Sequence, residues 1–332
     1  MLKFALIGYG YWGPNVARNL YKNKQVDFQY ICDLKQDRLD LAKGLYANEV
    51  KYTTEFDEVI ADDSIDAVCL AVETSSHFEL GKKVIEAGKH LYVEKPFTDN
   101  VAQAVELKGL AAEKGVTIHV DHIMIYHPAI MKIKEIIDSE ELGDIIYMDC
   151  SRMNLGKVKN DVSAMWDLSV HDLSIIYYLS DGAKVKSVNS IGRIIYSTKP
   201  SVTFITADYG LFIANIKANW ISPIKERKLI IAGTKKMLVY DDVDILNKLI
   251  VYDKGFDVIK ATDPMEYSEF VVKTRSGDAV IPRLDVGDAL YNSLEHFRQC
   301  IIDRKESLSG PDAAIRVLTV LEEADKNMTI SQ

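Results

Sequence analysis

Apolar and polar residues alternate in short blocks along the first third of the chain. The runs LKFALIG (2–8), DFQYICD (27–33), IDAVCLAV (65–72), HLYVEKP (90–96) and VTIHVDH (116–122) are brief, apolar and rich in branched or aromatic residues. That is the pattern of buried strands. Between them, VARNLYKN (16–23), RLDLAKGLY (38–46), SHFELGKKVIEAG (76–88) and VAQAVELKGLAAEKG (101–115) read as helices. The last ends at a glycine, a usual stop signal. Strands alternating with helices predict βαβ units and a parallel sheet covered on both faces.

Past Pro128 the pattern changes. It predicts a helix over 129–138, a strand over 144–151 and a Gly/Asn/Lys-rich loop over 154–163. The segment 166–172, WDLSVHD, then places an acid and an imidazole four residues apart inside an apolar stretch. From about 184 to 274 the chain reads as antiparallel strands joined by turns. Two helices close it, at 289–303 and 311–327. A length of 332 residues suggests two domains. The boundary expected here divides the chain into residues 1–122 and 123–332, with the closing helices able to return to the first domain.

Lys plus Arg number 40 and Asp plus Glu 49, so the net charge is −9. An acidic surface argues against nucleic acid or an anionic membrane as the main partner. The four cysteines, Cys32, Cys69, Cys150 and Cys300, make no close pair. Cys32 and Cys69 lie in apolar runs and read as buried small hydrophobes. Such usage fits a reducing cytoplasm. The N-terminal run ends quickly at glycine and is expected to be neither a signal peptide nor a membrane span. No cluster of His, Cys and acids has metal-ligand spacing, so no metal is expected.

Gly8, Gly10 and Gly13 form GYGYWG, with Tyr11 and Trp12 inside the loop. Alone, such a match arises by chance. Here it follows a strand and opens a helix. The first glycine permits a tight turn, the second lets the backbone approach a pyrophosphate, and the third allows helix to pack on strand. The helix N-terminus offers free N–H groups to the phosphates. Asp33 ends the second strand, where an acid accepts hydrogen bonds from an adenosine ribose. This favours NAD. Lys35 and Arg38 keep NADP open, since either can reach a 2′-phosphate. The fold class expected is α/β, an N-terminal Rossmann dinucleotide-binding domain followed by an α+β domain with a large, mostly antiparallel open sheet.

Glu94-Lys95-Pro96 ends a strand on the edge where ligands bind in such sheets. Proline biases Lys95 toward extended backbone or permits a cis bond. From spacing alone, Lys95 fits two roles equally: a donor to a substrate hydroxyl, or a solvated lysine paired with Glu94. Asp167 and His171 share a helix face. Spacing alone leaves them equally as a catalytic pair or as a bridge between elements.

GYGYWG, the acid at 33, Glu94-Lys95-Pro96 and Asp167-x-x-x-His171 together resemble the glucose-fructose oxidoreductase / inositol dehydrogenase (Gfo/Idh/MocA) family. The resemblance extends over essentially the whole chain, including SSHFEL (75–80) and YHPAIMKIKEIIDSEELGDI (126–145). It implies an NAD(P)-dependent oxidoreductase acting on a secondary alcohol or ketone of a sugar, cyclitol or nucleotide-linked sugar. It also implies a homo-oligomer, dimer or tetramer, built through the C-terminal sheet. Lys95, Asp167 and His171 would be the substrate triad, with His171 taking the hydroxyl proton; an imidazole titrates near neutrality, which suits that task. Thr74, His77 and Glu94 join the glycine loop, Asp33 and Arg38 as expected cofactor neighbours. His122 and Tyr126 fit a substrate-lining role as well as a structural one. Asn154, Asp161 and Trp166 match a branch associated with polysaccharide and nucleotide-sugar pathways, with Asn154 and Trp166 on the substrate side.

There are departures from the family pattern. Val72-Glu73 stands where many members have Thr-Pro, and Ser169 where glycine is frequent. Lys157 and Lys159 are candidates to meet a substrate phosphate, although loop lysines are more often solvated. Two rival functions remain. One is a non-catalytic NAD-binding sensor of the same fold; the other is a reductase of a non-sugar ketone, dihydrodiol or imine. The presence of all three triad residues speaks against the first, and an imine or diol reductase has no need of three polar groups.

Overall fold

The computed structural model describes residues 1–46, 50–160, 162–259 and 271–331. Asp161 lies outside them. The chain forms two compact units, Met1–His127 with Gly287–Glu322, and Pro128–Val286 with Glu323–Gln332.

The first unit begins with β1 (Leu2–Ile7), α1 (Gly13–Lys22), β2 (Val26–Cys32), α2 (Gln36–Tyr46), β3 (Lys51–Thr53) and α3 (Phe56–Ala61). It continues with β4 (Ala67–Leu70), α4 (His77–Glu86), β5 (His90–Glu94), α5 (Val101–Lys114) and β6 (Ile118–Asp121). The sheet is parallel throughout, in the order β3-β2-β1-β4-β5-β6. Its central strands are apolar runs because both faces are covered: Phe4, Ala5, Leu6, Val68 and Cys69 are fully buried. The strand order reverses between β1 and β4, which opens a crevice at the C-terminal edge. GYGYWG stands at that point.

Helix ends follow side-chain chemistry. The Asn100 side-chain oxygen Oδ1 accepts the Gln103 N–H at 2.9 Å and starts α5; Gly115, at φ 66°, ends it. Asp288 caps α8 (Ala289–Asp303) in the same way. Leu290, Leu294 and Phe297 form an i, i+4, i+7 stripe on α8 and enter the same core as Phe4, Leu6 and Tyr92.

Two differences from the sequence reading have local causes. β3 and α3 lie in a polar stretch whose pattern predicts no element. Three residues of β3 hold only because β2 supplies the ladder, from Tyr30↔Lys51 to Cys32↔Thr53. β6 starts at Ile118 rather than Val116. The Val116 N–H instead closes the end of α5 on Ala111 O at 3.1 Å, and the Thr117 N–H donates to His90 Nδ1 at 2.9 Å.

The second unit contains α6 (Pro128–Asp138), β7 (Ile145–Leu155) and α7 (Val170–Leu179). Strands β8 (Ser187–Ile194), β9 (Pro200–Asp208), β10 (Ile213–Asn219), β11 (Ile221–Gly233), β12 (Met237–Asp241), β13 (Leu249–Ile259) and β14 (Val271–Val280) follow. α9 (Pro311–Lys326), which belongs to the first unit as far as Glu322, and β15 (Met328–Ile330) end the chain. The sheet order is β14-β13-β12-β11-β7-β10-β9-β8-β15. It is antiparallel except where β7 meets β10 and β8 meets β15. Burial alternates residue by residue along β8 and β10, so one face is packed and the other open. Among the described residues no helix is long and apolar enough to cross a membrane.

Candidate active site

The glycine loop is built for close backbone approach. A Cβ on Gly13 would stand 2.1 Å from Gly8 O, and one on Gly8 would stand 2.4 Å from Ala71 O. Gly8 also has φ 94°, a region that favours glycine. The first turn of α1 carries Pro14 and has no side-chain cap. Its N-terminal N–H groups receive no side-chain cap, and such an end suits an anionic group. Asp33 is buried and closes the loop from β2. Its Oδ2 accepts the Tyr9 N–H at 2.7 Å and pairs with Arg38 Nη1 at 3.2 Å, while its Oδ1 accepts the Lys35 N–H at 2.9 Å. The Arg38 guanidinium lies over Gly10. These residues fit a dinucleotide diphosphate and ribose. Tyr11 is almost fully exposed on the loop, whereas Trp12 packs against the core beneath it.

The next crevice wall is the turn after β4. Thr74 opens a short 3-10 turn, Thr74–Ser76, and Glu73 before it is exposed. His77 follows and is buried. Its Nδ1 lies 2.9 Å from Pro96 O and its Nε2 3.2 Å from Val72 O. The imidazole thus ties the β4 turn to the Glu94-Lys95-Pro96 turn, and burial holds its pKa below the ordinary histidine range. The Lys95–Pro96 peptide is cis. Glu94 lies in register with Asp121 across the β5–β6 ladder.

His122 directly follows β6 and is buried. Burial, reinforced by the charge of nearby Lys95, brings its pKa down to about 3, so it is neutral at pH 7. Tyr126 is buried and stacks on His119, centroids 5.6 Å apart. The structure therefore places His122 near Lys95 and gives Tyr126 a packing role.

In the second unit, Asp167 and His171 do not share one regular helix. Met165–Ser169 forms a π-helical turn that runs into α7. Asp167 lies in the wide turn and His171 in the first turn of α7. Such turns carry an extra residue and are frequent at functional sites. The π turn rests on β9 and β10. Beneath it, Ala164, Ala218 and Trp220 form a small core joined by Val158, Val162 and Leu168. A buried bidentate ion pair, Arg152 Nη2–Asp172 Oδ1 at 2.9 Å and Nε–Oδ2 at 3.2 Å, fixes the rotation of α7 beside His171.

Asp167 Oδ1 accepts from Lys159 Nζ at 3.0 Å. The sequence offers Lys159 as a phosphate ligand or, more often for a loop lysine, a solvated one; its partner here is a triad candidate. The Trp166 indole N–H is committed to Asp325 Oδ2 at 2.5 Å. Asn154 lies half-buried at the end of β7 beside Gly156, because β7 extends past the strand expected at 144–151.

Two family descriptions match the chain in series. An oxidoreductase family with an NAD-binding Rossmann fold covers residues 2–122, and a Gfo/Idh/MocA C-terminal domain covers residues 130–239. The chain belongs to the Gfo/Idh/MocA oxidoreductase family. The scyllo-inositol 2-dehydrogenase (NAD(+)) of Bacillus subtilis is 28% identical over 343 residues, spanning 93% of this chain and 98% of the relative. The UDP-N-acetylglucosamine 3-dehydrogenase of Acidithiobacillus ferrooxidans is 29% identical over 195 residues, 58% of this chain and 59% of its own. Among solved structures, the UDP-N-acetylglucosamine 3-dehydrogenase GnnA of A. ferrooxidans superposes with a TM-score of 0.80 at 24% identity, covering 98% of this chain and 97% of that one. At that identity the likeness shows the fold alone. A further relative, the scyllo-inositol 2-dehydrogenase (NADP(+)) IolW of B. subtilis, is 24% identical over 255 residues, 73% of this chain and 70% of the relative. Membership of the Gfo/Idh/MocA family thus makes this chain an NAD(P)-dependent oxidoreductase without choosing between the two cofactors.

Sequence reasoning missed the surroundings of Glu94. Asp121 ends β6 as Glu94 ends β5, and both abut the C-terminal edge where ligands bind. An acid at that strand end was the available signal.

Proposed function

We propose that this Gfo/Idh/MocA protein is an NAD-dependent dehydrogenase or reductase of a secondary alcohol in a sugar, cyclitol or nucleotide-linked sugar. Lys95, Asp167 and His171 are its substrate residues, and it assembles as a homo-oligomer through the sheet of the second unit. The observation that carries the cofactor half is Asp33. Its carboxylate accepts from the glycine loop and neutralises Arg38. A 2′-phosphate would meet that carboxylate, whereas a ribose hydroxyl can donate to it.

NAD, when bound, supplies the hydride acceptor. The chain's own residues do the rest. Lys95, held at the cis-Pro turn, donates to a substrate oxygen and stabilises negative charge developing on it. His171 takes the hydroxyl proton at its imidazole. Asp167, already holding the Lys159 ammonium, binds a neighbouring hydroxyl and sets its orientation. Support for the substrate class comes from relatives named for inositol and a nucleotide sugar.

The test is a fluorescence titration with NADH and with NADPH, followed by a screen of sugars, cyclitols and nucleotide-sugars. NADH is expected to bind more tightly than NADPH, and Asp33→Ala to reduce that preference. Preference for NADPH in the wild type would overturn the role given to Asp33. Binding of neither cofactor to folded protein would overturn the dehydrogenase reading.

A further inference from the structure

Behind the Lys95 turn, side chains of the first unit form a line of hydrogen bonds that the mechanism above does not use. Ser293 of α8 donates to Asp121 Oδ1 at 2.9 Å. His119 Nε2 lies 3.0 Å from Ser293 Oγ, and His119 Nδ1 lies 2.9 Å from Ser307 Oγ. Tyr92 OH is also 3.0 Å from Ser293 Oγ. Asp121, His119 and Ser293 are at most 1% exposed, while Ser307 is partly open to solvent. The line runs from the end of β6 to the surface.

Counting donors orients it. Ser307 Oγ accepts the Ser309 N–H at 3.1 Å and has its own proton for His119 Nδ1. Burial, with His296 and His122 nearby, holds His119 neutral, so its Nε2–H donates to Ser293. Ser293 spends its single proton on Asp121 Oδ1. Two buried oxygens are left, Asp121 Oδ2 and Glu94 Oε1, and neither has a donor in hydrogen-bonding geometry. The two carboxyls stand side by side at the ends of β5 and β6 and interact directly. Two ionised carboxylates are both acceptors, so that contact requires a proton. Burial and the neighbouring Asp121 carboxyl push Glu94 well above its usual range. Asp121 is also raised by burial, but the hydrogen bond from Ser293 opposes the rise. The proton therefore resides on Glu94, whose carboxyl also accepts the backbone N–H of Lys95.

We propose that Glu94 and Asp121 hold one proton between them, and that Ser293, His119 and Ser307 conduct protons between the Lys95 end of β5 and solvent. This rests on the dehydrogenase reading. Oxidation of a CH–OH group sends hydride to the nicotinamide and leaves the hydroxyl proton to be carried away; reduction of the ketone needs that proton returned. Each member of the line takes a proton on one atom as it releases one from another. His119 does so by exchanging Nδ1–H for Nε2–H, so no buried charge is created. A buried polar network kept only for packing has no need of an end at the surface.

Two measurements test this. The first uses the protein without substrate. The infrared spectrum of the wild type at neutral pH is expected to show the C=O stretch of a protonated carboxyl, shifted in D2O and lost in Glu94→Gln. Folded wild type without that band overturns the proposal, whatever the protein oxidises. The second times proton release, by an indicator dye, against NADH formation in stopped flow. Ser293→Ala cuts the line without adding charge. It is expected to delay proton release behind hydride transfer about tenfold, or about 1.4 kcal/mol on the barrier. His119→Ala should show the same lag, shortened by added imidazole. Release in step with hydride transfer in Ser293→Ala overturns the conducting role even if His119→Ala does not fold. A wild type that transfers no hydride to NAD sinks the dehydrogenase reading and the conducting role with it, while the infrared band still decides the shared proton.

Discussion

At the scale of single residues, the site depends on groups with no room to change. Gly13→Ala would drive a methyl to 2.1 Å from Gly8 O, a backbone atom that cannot swing aside. Overpacking of that kind costs about 1–3 kcal/mol. Gly13→Ala is therefore expected to lower the unfolding midpoint and to remove measurable NADH binding; unchanged affinity in a titration would count against the cradle. His171→Ala is expected to lower kcat by about 10²–10⁴-fold, the usual contribution of a general acid–base group. It should also flatten the pH–rate profile, and a bell-shaped profile persisting in the variant would sink the assignment. Spacing and neighbours marked Asp33, Lys95, Asp167 and His171 as candidates, and the family resemblance, not spacing, proposed the roles of the last three. Lys159 was legible as a cation but not as the partner of Asp167. An ion pair eight residues apart across an irregular loop leaves no periodic trace.

At the scale of elements, the helix carrying the Asp-x-x-x-His pair departs from the pattern most clearly. Composition predicts a helix there, and hydrophobic spacing cannot tell an α turn from a single π turn. The turn buries Ser169, whose hydroxyl finds no partner among the described residues. A buried unsatisfied hydroxyl costs about 1–3 kcal/mol. Ser169→Ala is therefore expected to raise stability by about 1 kcal/mol in denaturant unfolding, and a loss of stability would show that the hydroxyl has a partner. On α8, Phe297 meets Phe4 edge-on at 5.8 Å and lies 5.7 Å from Tyr92. Phe297→Ala is expected to cost about 3–5 kcal/mol. A small cost would mean that the core of the first unit closes without α8.

For the whole molecule, five of the seven histidines set the response to acid. Burial lowers the pKa of His77, His90, His119, His122 and His296 from the ordinary 6.5. Below 6.5 the unfolded chain binds more protons than the folded one, so their contribution is present above that pH and lost as pH falls toward the folded values. Glu94 acts in the opposite sense. Its raised pKa gives stability below 4.5 that is lost as pH rises. The histidines outnumber the carboxyl pair, and one fully silenced histidine accounts for about 1.4 kcal/mol per pH unit. The melting temperature is expected to fall between about pH 6.5 and about pH 5. A level melting temperature there would contradict neutral buried histidines. The open face of the second sheet carries Ile191 against Phe204 and Tyr147 against Ile213, all at least 40% exposed. Phe204→Glu is expected to shift the protein toward monomer in light scattering, and an unchanged mass would remove that face from the assembly surface.

The sequence by itself determined what is local. Strand and helix periods, the glycine turn, the acid at the end of β2 and the Glu-Lys-Pro turn are written within a few residues of one another, and backbone sterics and hydrogen bonding read them directly. Those local features also carried the family likeness. Tertiary structure alone decided what joins distant segments: β3 surviving on the ladder of β2, α8 completing a core begun nearly 300 residues earlier, and Ser293 bonding to Asp121. Such contacts depend on which faces meet after the chain has closed, and burial then sets protonation states that no residue type reveals. Glu94 reads in sequence as an ordinary carboxylate; only the burial of its carboxyl beside Asp121 makes it an acid that keeps its proton.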